Sequence, residues 1–72
     1  MNKATTDNAR EFLEKNPTHI ATVLGVDLYE HPEYGDESPL VAITSDGRKC
    51  KTDLWDVPSI EEMRSAIRYW NL

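Results

Sequence analysis

The clearest structural signal in the chain is the stretch LVAITSDGRKCKTDLW, which runs from Leu40 to Trp55. Two runs with strand-forming residues flank the dipeptide Asp46-Gly47. Both central residues of a type I′ turn need a positive φ, so an Asp-Gly pair between such runs predicts a two-residue β-hairpin. The sequence therefore predicts one strand from Leu40 to Ser45 and a second strand from Arg48 to Trp55.

The two-residue turn also predicts the register of this hairpin, because it fixes which residues face each other across the strands. The predicted cross-strand pairs are Ser45 with Arg48, Ile43 with Cys50, and Val41 with Thr52. In this register the apolar and small residues share one face, whereas a one-residue slip would bury Lys49 and Lys51. The pattern therefore predicts that both lysines lie on the solvated face of the sheet.

A longer strand is predicted upstream, from Thr18 to Glu30, where apolar residues share one parity. Gly25 falls in the middle of this strand and indicates a bulge or the close approach of another backbone. Together with the hairpin, this segment gives three strands that follow one another along the chain.

Two helices are predicted at the ends of the chain. The first runs from Thr5 to Asn16, because the residue before Pro17 avoids the helical conformation. The second runs from Ser59 to Trp70 and begins with a capping box, in which Glu62 is the third helical residue after the Ser59 cap. The predicted core residues are Phe12, Leu13, Ile20, Leu24, Val26, Leu28, Val41, Ile43, Cys50, Leu54, Ile60, Met63, Ile67 and Trp70.

The element order α-β-β-β-α predicts a single α+β domain over residues 1–72, a three-stranded antiparallel meander with both helices packed on one face. This order and size resemble those of the double-stranded-RNA-binding domain. That family carries a basic cluster at the start of its second helix and a Gly-Pro-x-His type loop between its first two strands. Here the corresponding segments, Ser59-Ile60-Glu61-Glu62 and His31–Pro39, are acidic, so no functional residue of the family transfers to this chain.

Length and composition exclude several classes of protein. Seventy-two residues allow one domain, and the single cysteine, Cys50, excludes an intramolecular disulfide. The N-terminal residues contain no apolar signal core, and the longest apolar stretch is too short to cross a bilayer. We therefore expect a cytoplasmic protein with no membrane partner.

Cofactors, metals and catalysis have little support in the sequence. No zinc, dinucleotide or phosphate-binding motif is present, so neither a cofactor nor a metal is expected. The alternative is a metal site at His31, Glu33, Asp36 and Glu37, an oxygen-rich set of the kind that suits Ca²⁺ or Mg²⁺, but its spacing does not follow that of an EF-hand loop. We expect no enzyme, because no motif pairs a hydroxyl or thiol with a histidine base.

The net charge of −5 is concentrated in one part of the chain. Residues 18–47 contain no lysine or arginine and hold six carboxylates, four of which lie in the segment Glu30–Glu37 together with Tyr34. The segment Glu30–Glu37 is either a solvated connection that maintains solubility or a partner-binding surface with an aromatic residue at its centre. The predicted partner-binding residues of this acidic loop are Glu30, Glu33, Tyr34, Asp36 and Glu37.

The sheet face opposite the helices is the second predicted docking surface. Strand parity places on it the residues Ala21, Val23, Tyr29, Leu40, Ala42, Thr44 and Trp55, a set that is unusually apolar for a face in water. A partner protein or a second copy of the chain would cover it. For Trp55 the alternative is that the strand has already ended and the ring turns inward.

We therefore expect a small acidic protein-interaction module without enzymatic activity, an adaptor or inhibitor of the kind encoded by phages and mobile elements. Its expected partner is another protein, with a homodimer as a further expectation. The alternative is a nucleic-acid-binding domain that uses the sheet and the basic strip Arg48, Lys49 and Lys51. Three cations on a net-acidic domain give weak counterion-release affinity, which disfavours this alternative.

Overall fold

The computed structural model describes residues 6–72, with side chains from Asn8 onward. Its elements are β1 (Thr6–Asn8), α1 (Arg10–Glu14), β2 (His19–Val23), β3 (Val26–Tyr29), β4 (Val41–Ile43), β5 (Arg48–Lys51) and α2 (Ile60–Trp70). The strands form one antiparallel sheet in the order β1-β5-β4-β3-β2. The mixed helix and strand content and the antiparallel meander are confirmed, but β2 to β5 give the meander four strands instead of three, and β1 adds a short fifth.

The first helix is shorter than predicted. Its predicted start at Thr5 lies outside the described residues, and Thr6–Asn8 pairs with β5 as an edge strand. Asn8 Oδ1 accepts a hydrogen bond of 2.7 Å from the Arg10 amide, where the helix begins. The helix ends before Asn16, which has a φ of 53° and precedes Pro17 as the predicted stop requires.

The predicted long strand from Thr18 to Glu30 is a hairpin. Leu24 and Gly25 have φ values of 52° and 79°, and Val23 pairs with Val26 across them. Positive φ at both central residues is the signature of a type I′ turn. The prediction of one continuous strand is therefore wrong, because Gly25 reverses the chain instead of forming a bulge.

The predicted hairpin between β4 and β5 is present, but its register differs by one residue. Ala42 lies opposite Cys50, and Ile43 lies opposite Lys49. The predicted pairing of Ile43 with Cys50 is therefore wrong. Because side chains alternate across a strand, this difference moves the lysines of β5 to the face that carries Ile43.

The loop of this hairpin contains three residues instead of two. The Thr44 amide donates to the Arg48 carbonyl oxygen at 2.9 Å, and the Gly47 amide donates to the Thr44 carbonyl oxygen at 3.0 Å. Gly47 has a φ of 86°. A turn followed by a left-handed residue that forms a bulge is the common geometry of a three-residue hairpin loop, and it accounts for the shifted register.

The two helices pack on opposite faces of the sheet, contrary to the prediction. The buried cluster on the α2 side contains Val26, Leu28, Leu40, Ala42, Cys50, Met63 and Trp70. The buried cluster on the α1 side contains Ala9, Phe12, Val41 and Ile43, with Tyr29 packed against it. Consecutive residues of β4 thus belong to different clusters, and each face of the sheet needs its own cover.

Several predicted core residues are exposed instead, namely Leu13, Ile20, Leu24 and Ile60. They lie in the last turn of α1, at the register shift in β2, in the β2–β3 turn and at the first residue of α2. Ala9, Leu40 and Ala42 are buried although they were not predicted to be. The exposed residues lie at element ends, in a turn or at the register shift. Leu40 and Ala42 are buried because the face that was predicted to be open is covered by α2.

The second helix matches its prediction closely. The Ser59 amide donates to Glu62 Oε1 at 2.8 Å, and the Glu62 amide donates to Ser59 Oγ at 3.1 Å, which forms the predicted capping box. Asn71 closes the helix with a φ of 59° in the left-handed conformation. Within residues 6–72, neither helix has the length and apolarity that a membrane crossing requires.

Candidate functional site

The acidic loop, Glu30–Glu37, is folded around His31. The His31 carbonyl oxygen accepts from the Gly35 amide at 2.9 Å. Its ring nitrogen Nδ1 accepts from the amides of Glu33 and Tyr34 at 3.1 and 3.2 Å. The His31 and Tyr34 rings lie 4.7 Å apart between centroids. The loop therefore has a defined conformation that holds the Tyr34 ring at its centre, with 62% of the residue exposed.

Within the part of the chain whose side chains are described, no salt bridge neutralises the carboxylates of the acidic loop. They belong to Glu30, Glu33, Asp36 and Glu37, and the last three are exposed. In the part of the chain that the structure describes, the salt bridges join His19 to Asp27 and Arg48 to Asp46. Among these described residues, no lysine, arginine or histidine forms a salt bridge with a loop carboxylate, so the predicted acidic residues form one negatively charged surface.

A cleft of about 290 Å³ opens between the acidic loop, α1 and the β4–β5 hairpin. Its lining residues are Phe12, His31, Tyr34, Ser38, Pro39, Leu40, Val41, Lys49, Lys51 and Thr52. The buried Phe12 and Val41 give it apolar surface. Lys49 and Lys51 are two residues apart on β5, so their side chains point to the same face and into this space. This space is the lysine cleft.

The lysine cleft holds two positive charges, those of Lys49 and Lys51. Lys49 Nζ lies 5.8 Å from the centroid of the Phe12 ring, which is a cation–π contact. Among the side chains that the structure describes, from Asn8 onward, neither Lys49 nor Lys51 forms a salt bridge with a carboxylate. The cleft therefore combines aromatic and aliphatic surface with two cations that are available to an anionic group.

The sequence pattern does not predict the lysine cleft, and the hairpin register explains why. In the predicted register Val41 lies opposite Thr52, so that both lysines lie on the other face. In the structure Val41 lies opposite Lys51, on the same face as the Phe12 cluster. The signal that could have indicated it is Gly47, because a left-handed glycine also ends a three-residue hairpin loop.

The sheet face predicted as a docking surface is covered in the structure. Leu40 and Ala42 are buried on the α2 side, and the half-buried Val23 packs against the same cluster. Tyr29 lies on the opposite face, in the α1 cluster. Trp55 is 59% exposed but lies outside the strands. The prediction of one open apolar face is therefore wrong, because the turn at Leu24-Gly25 puts Val23 and Tyr29 on opposite faces and a helix covers each face.

The predicted basic strip is also divided. Arg48 Nε donates to both carboxylate oxygens of Asp46, at 3.0 and 3.1 Å, at the tip of the hairpin. A hydrogen bond from the Thr44 hydroxyl and the bond from Arg48 lower the pKa of the Asp46 carboxyl below its usual value. Arg48 thus points away from Lys49 and Lys51, which reach the cleft without it.

A second polar cluster lies on the β2–β3 hairpin. His19 Nε2 is 2.9 Å from Thr22 Oγ1 and 3.4 Å from Asp27 Oδ1, and the Thr22 hydroxyl donates to the Asp27 carboxylate. An activated nucleophile would instead donate its proton to the histidine. The cluster therefore orders the hairpin surface and does not have the geometry of a catalytic site.

The structure does not support a metal site at His31, Glu33, Asp36 and Glu37. Within the described residues, no three histidine, cysteine, aspartate or glutamate side chains are close enough to hold a metal ion. In the acidic loop, His31 Nδ1 is occupied by backbone amides of Glu33 and Tyr34. The histidine serves the conformation of the loop.

Known proteins add no information about the acidic loop or the lysine cleft. No protein-family model, no curated protein and no solved structure matches the chain. The double-stranded-RNA-binding domain stays a resemblance of predicted element order, from which the structure departs by its strand before α1 and by its helices on opposite faces of the sheet.

Proposed function

We propose that this chain is a small protein-interaction module whose docking surface is the acidic loop together with the adjoining lysine cleft. Such a module binds a partner without chemical transformation, in the manner of an adaptor or an inhibitor. The observation that carries the proposal is the exposed Tyr34 ring, held against His31 at the edge of the lysine cleft.

The fixed position of Tyr34 favours binding. An aromatic side chain in a preorganised loop loses little conformational entropy when a partner covers it. Tyrosine is also among the residue types enriched in the energetically important centres of interfaces. The buried Phe12 and Val41 lie in the same cleft and give it an apolar floor beside the Tyr34 ring.

The charges on this surface favour one orientation of a bound partner. Carboxylates surround Tyr34 on the loop, and ammonium groups of Lys49 and Lys51 lie in the cleft. Complementary charge accelerates association and suppresses wrong partners more than it adds affinity. A fitting partner therefore presents both a basic and an acidic region to this one side of the molecule.

Partner capture with matched variants tests the proposal. Immobilised wild-type protein is compared with Tyr34→Ala and with the double charge reversal Asp36→Lys/Glu37→Lys. Tyr69→Ala is the aromatic control, because Tyr69 on α2 is 63% exposed. The reversal Asp53→Lys/Asp56→Lys is the charge control, since these exposed aspartates lie outside the acidic loop.

The result expected is a specific protein retained by the wild type and by both controls, and lost with both loop variants. Affinity measured with the purified partner should fall at least tenfold for Tyr34→Ala, the size of loss typical of an interface centre. Equal capture by all variants would remove the acidic loop as the docking surface.

Single-stranded nucleic acid is the second candidate ligand. The observation that favours it is the proximity of Phe12, His31 and Tyr34 rings to Lys49 and Lys51, since aromatic rings and cations bind unpaired strands. The neighbouring carboxylates oppose a phosphate backbone. Titration of labelled single-stranded DNA and RNA at low salt tests it, and binding must weaken as salt rises and with Lys49→Ala/Lys51→Ala.

A further inference from the structure

The lysine cleft and the acidic loop are two opposite charges on one side of the same molecule. The cations are Lys49 and Lys51, and the exposed anions are Glu33, Asp36 and Glu37. Among the side chains that the structure describes, from Asn8 onward, neither set forms a salt bridge. The lysines of the cleft and the carboxylates of the loop therefore lie side by side without pairing with each other.

The loop and the cleft are adjacent because they share two residues. His31 and Tyr34 belong to the loop and also line the cleft. The loop carboxylates of Glu33, Asp36 and Glu37 are exposed to solvent and form no salt bridge with the lysines. They are therefore accessible to the lysines of another molecule.

We propose that the partner of this surface is a second copy of the chain, with the acidic loop of each molecule docked in the lysine cleft of the other. This inference rests on the proposed function, because it takes the loop and the cleft as the docking surface. In a twofold-symmetric contact the same patch meets itself, so every contact occurs twice. One such contact pairs both sets of charges at once, whereas an unrelated partner must match both signs independently.

The chemistry of the loop fits the chemistry of the cleft. The loop offers the Tyr34 ring and flanking carboxylates, and the cleft offers the apolar Phe12 and Val41 beside Lys49 and Lys51. A cleft of about 290 Å³ is near the lower end of ligand-pocket volumes and suits one large side chain with its neighbours. The Tyr34 ring of the second copy is therefore the group that we place in the cleft.

The net charge of −5 does not prevent this pairing. At about 0.15 M salt the Debye length is about 8 Å, so the repulsion between the two molecules as a whole is screened. Charges that approach within salt-bridge distance in a partly desolvated cleft are screened much less. We expect a dimer at physiological salt that weakens toward about 1 M salt, where the Debye length falls to about 3 Å.

Sedimentation equilibrium and light scattering of the full chain test the inference. The wild type should form a particle of twice the 8.3 kDa monomer mass as its concentration rises. Lys49→Glu/Lys51→Glu and Asp36→Lys/Glu37→Lys should each be monomeric, because loop and cleft then carry the same sign. Circular dichroism confirms that both variants fold, and Asp53→Lys/Asp56→Lys should dimerise like the wild type.

An equimolar mixture of the two monomeric variants is the decisive measurement. An acidic cleft then meets a basic loop in one contact, and a basic cleft meets an acidic loop in the other, so the heterodimer should form. Both variants stay net acidic, so general attraction cannot produce this rescue. A wild type that remains monomeric, or a mixture that does not associate, would overturn the inference.

The failure of this inference can be told apart from the failure of the proposed function. A monomeric wild type that still loses a captured partner with Tyr34→Ala overturns the homodimer and leaves the interaction module intact. A monomer that instead binds single-stranded DNA through Lys49 and Lys51 assigns the cleft to nucleic acid and overturns the homodimer as well.

Discussion

Ala42 lies directly opposite Cys50 in the β4–β5 pair, and neither residue is accessible to solvent. Both pack in the cluster that contains Met63 of α2, which is also fully buried. Burial raises the pKa of the Cys50 thiol above its ordinary value of 9.0, because the charged thiolate loses its hydration there. The thiol therefore acts as a small apolar side chain at the centre of the α2 side of the sheet.

Cys50 should react with Ellman's reagent only when the protein unfolds, since the thiolate is the nucleophile and the sulfur is buried. Because the folded pKa is raised, the protonated thiol contributes stability that is fully present below pH 9.0 and is lost as the pH rises through the higher folded value. Labelling rates at about pH 8, with and without denaturant, check the first expectation. Rapid labelling of the native protein would show that Cys50 is not in the core.

The type I′ turn between β2 and β3 carries a leucine where asparagine is preferred. Leu24 has a φ of 52° and is 47% exposed. A left-handed conformation costs a residue with a Cβ atom roughly 1–2 kcal/mol, and asparagine tolerates it better. We expect Leu24→Asn to raise the free energy of unfolding by about 1 kcal/mol, as measured by urea denaturation.

Gly25→Ala is the matched change at the neighbouring position. Gly25 has a φ of 79°, and no atom lies within 4 Å of the position that an added Cβ would take. Its effect is therefore conformational, and the free energy of unfolding should fall by about 1–2 kcal/mol. A neutral Gly25→Ala would mean that this turn does not have the assigned geometry.

The capping box of α2 is a separable contribution to stability. Ser59→Ala removes the acceptor for the Glu62 amide and should lower the free energy of unfolding by about 1 kcal/mol. Ser65→Ala, at an exposed position inside the same helix, should be neutral or slightly stabilising, because alanine has the higher helix propensity. Thermal unfolding followed by circular dichroism measures both, and equal effects would contradict the assigned cap.

The same cap has a pH dependence. The backbone hydrogen bond from Ser59, followed by its side-chain hydrogen bond, lowers the pKa of the Glu62 carboxyl below its ordinary 4.5. The stability that depends on this charge is present above pH 4.5 and is lost as the pH falls through the lower folded value. Glu62→Gln should therefore make the melting temperature less sensitive to acid in that range.

Local chemistry made some elements of the fold predictable. The capping box and the helical spacing predicted α2 almost to the residue, because both signals lie within the helix itself. The Asp46-Gly47 pair predicted the existence of the β4–β5 hairpin for the same reason. The register that was predicted from it is wrong, because an Asp-Gly pair occurs in both two-residue and three-residue hairpin loops.

The turn at Leu24-Gly25 and the arrangement of the helices could not be read from local chemistry. A leucine in the left-handed conformation carries no turn signal, so the two strands around it looked like one. The β4–β5 register, in which Thr44 and Arg48 are hydrogen-bonded, puts Ile43 and Cys50 on opposite faces, where they pack in the α1 and α2 clusters. These are tertiary effects that override the pattern of the separate strands.

The candidate site was predictable in its residues but not in its assembly. The distribution of charge along the chain indicated Tyr34 and the acidic loop, and the predicted second strand of the hairpin indicated Lys49 and Lys51 as part of a basic strip. Their meeting in one cleft depends on the hairpin register and on the turns that His31 holds together. The register and these turns both depend on hydrogen bonds that the pattern of apolar and charged residues does not predict.

Thr44 should therefore be the residue whose loss disturbs both the hairpin and the lysine cleft. It is buried, its hydroxyl donates to the Asp46 carboxylate, and its Oγ1 accepts from the Arg48 amide at 3.0 Å. Thr44→Val keeps the shape and removes these bonds, so the free energy of unfolding should fall by about 1–3 kcal/mol. Thr18→Val, at an exposed threonine, is the control and should change stability by less than about 0.5 kcal/mol.

The acid dependence of stability tests whether the loss in Thr44→Val comes from the hydrogen bond between the Thr44 hydroxyl and the Asp46 carboxylate. The Thr44 hydroxyl is the largest cause of the lowered Asp46 pKa, so the charge contributes stability above pH 3.8 that is lost as the pH falls through the lower folded value. Without the hydroxyl the folded pKa should return toward 3.8, and unfolding free energies measured from about pH 7 to pH 3 should fall less steeply for Thr44→Val than for the wild type. Parallel curves for the two proteins would show that Thr44 stabilises the hairpin by packing and not through Asp46.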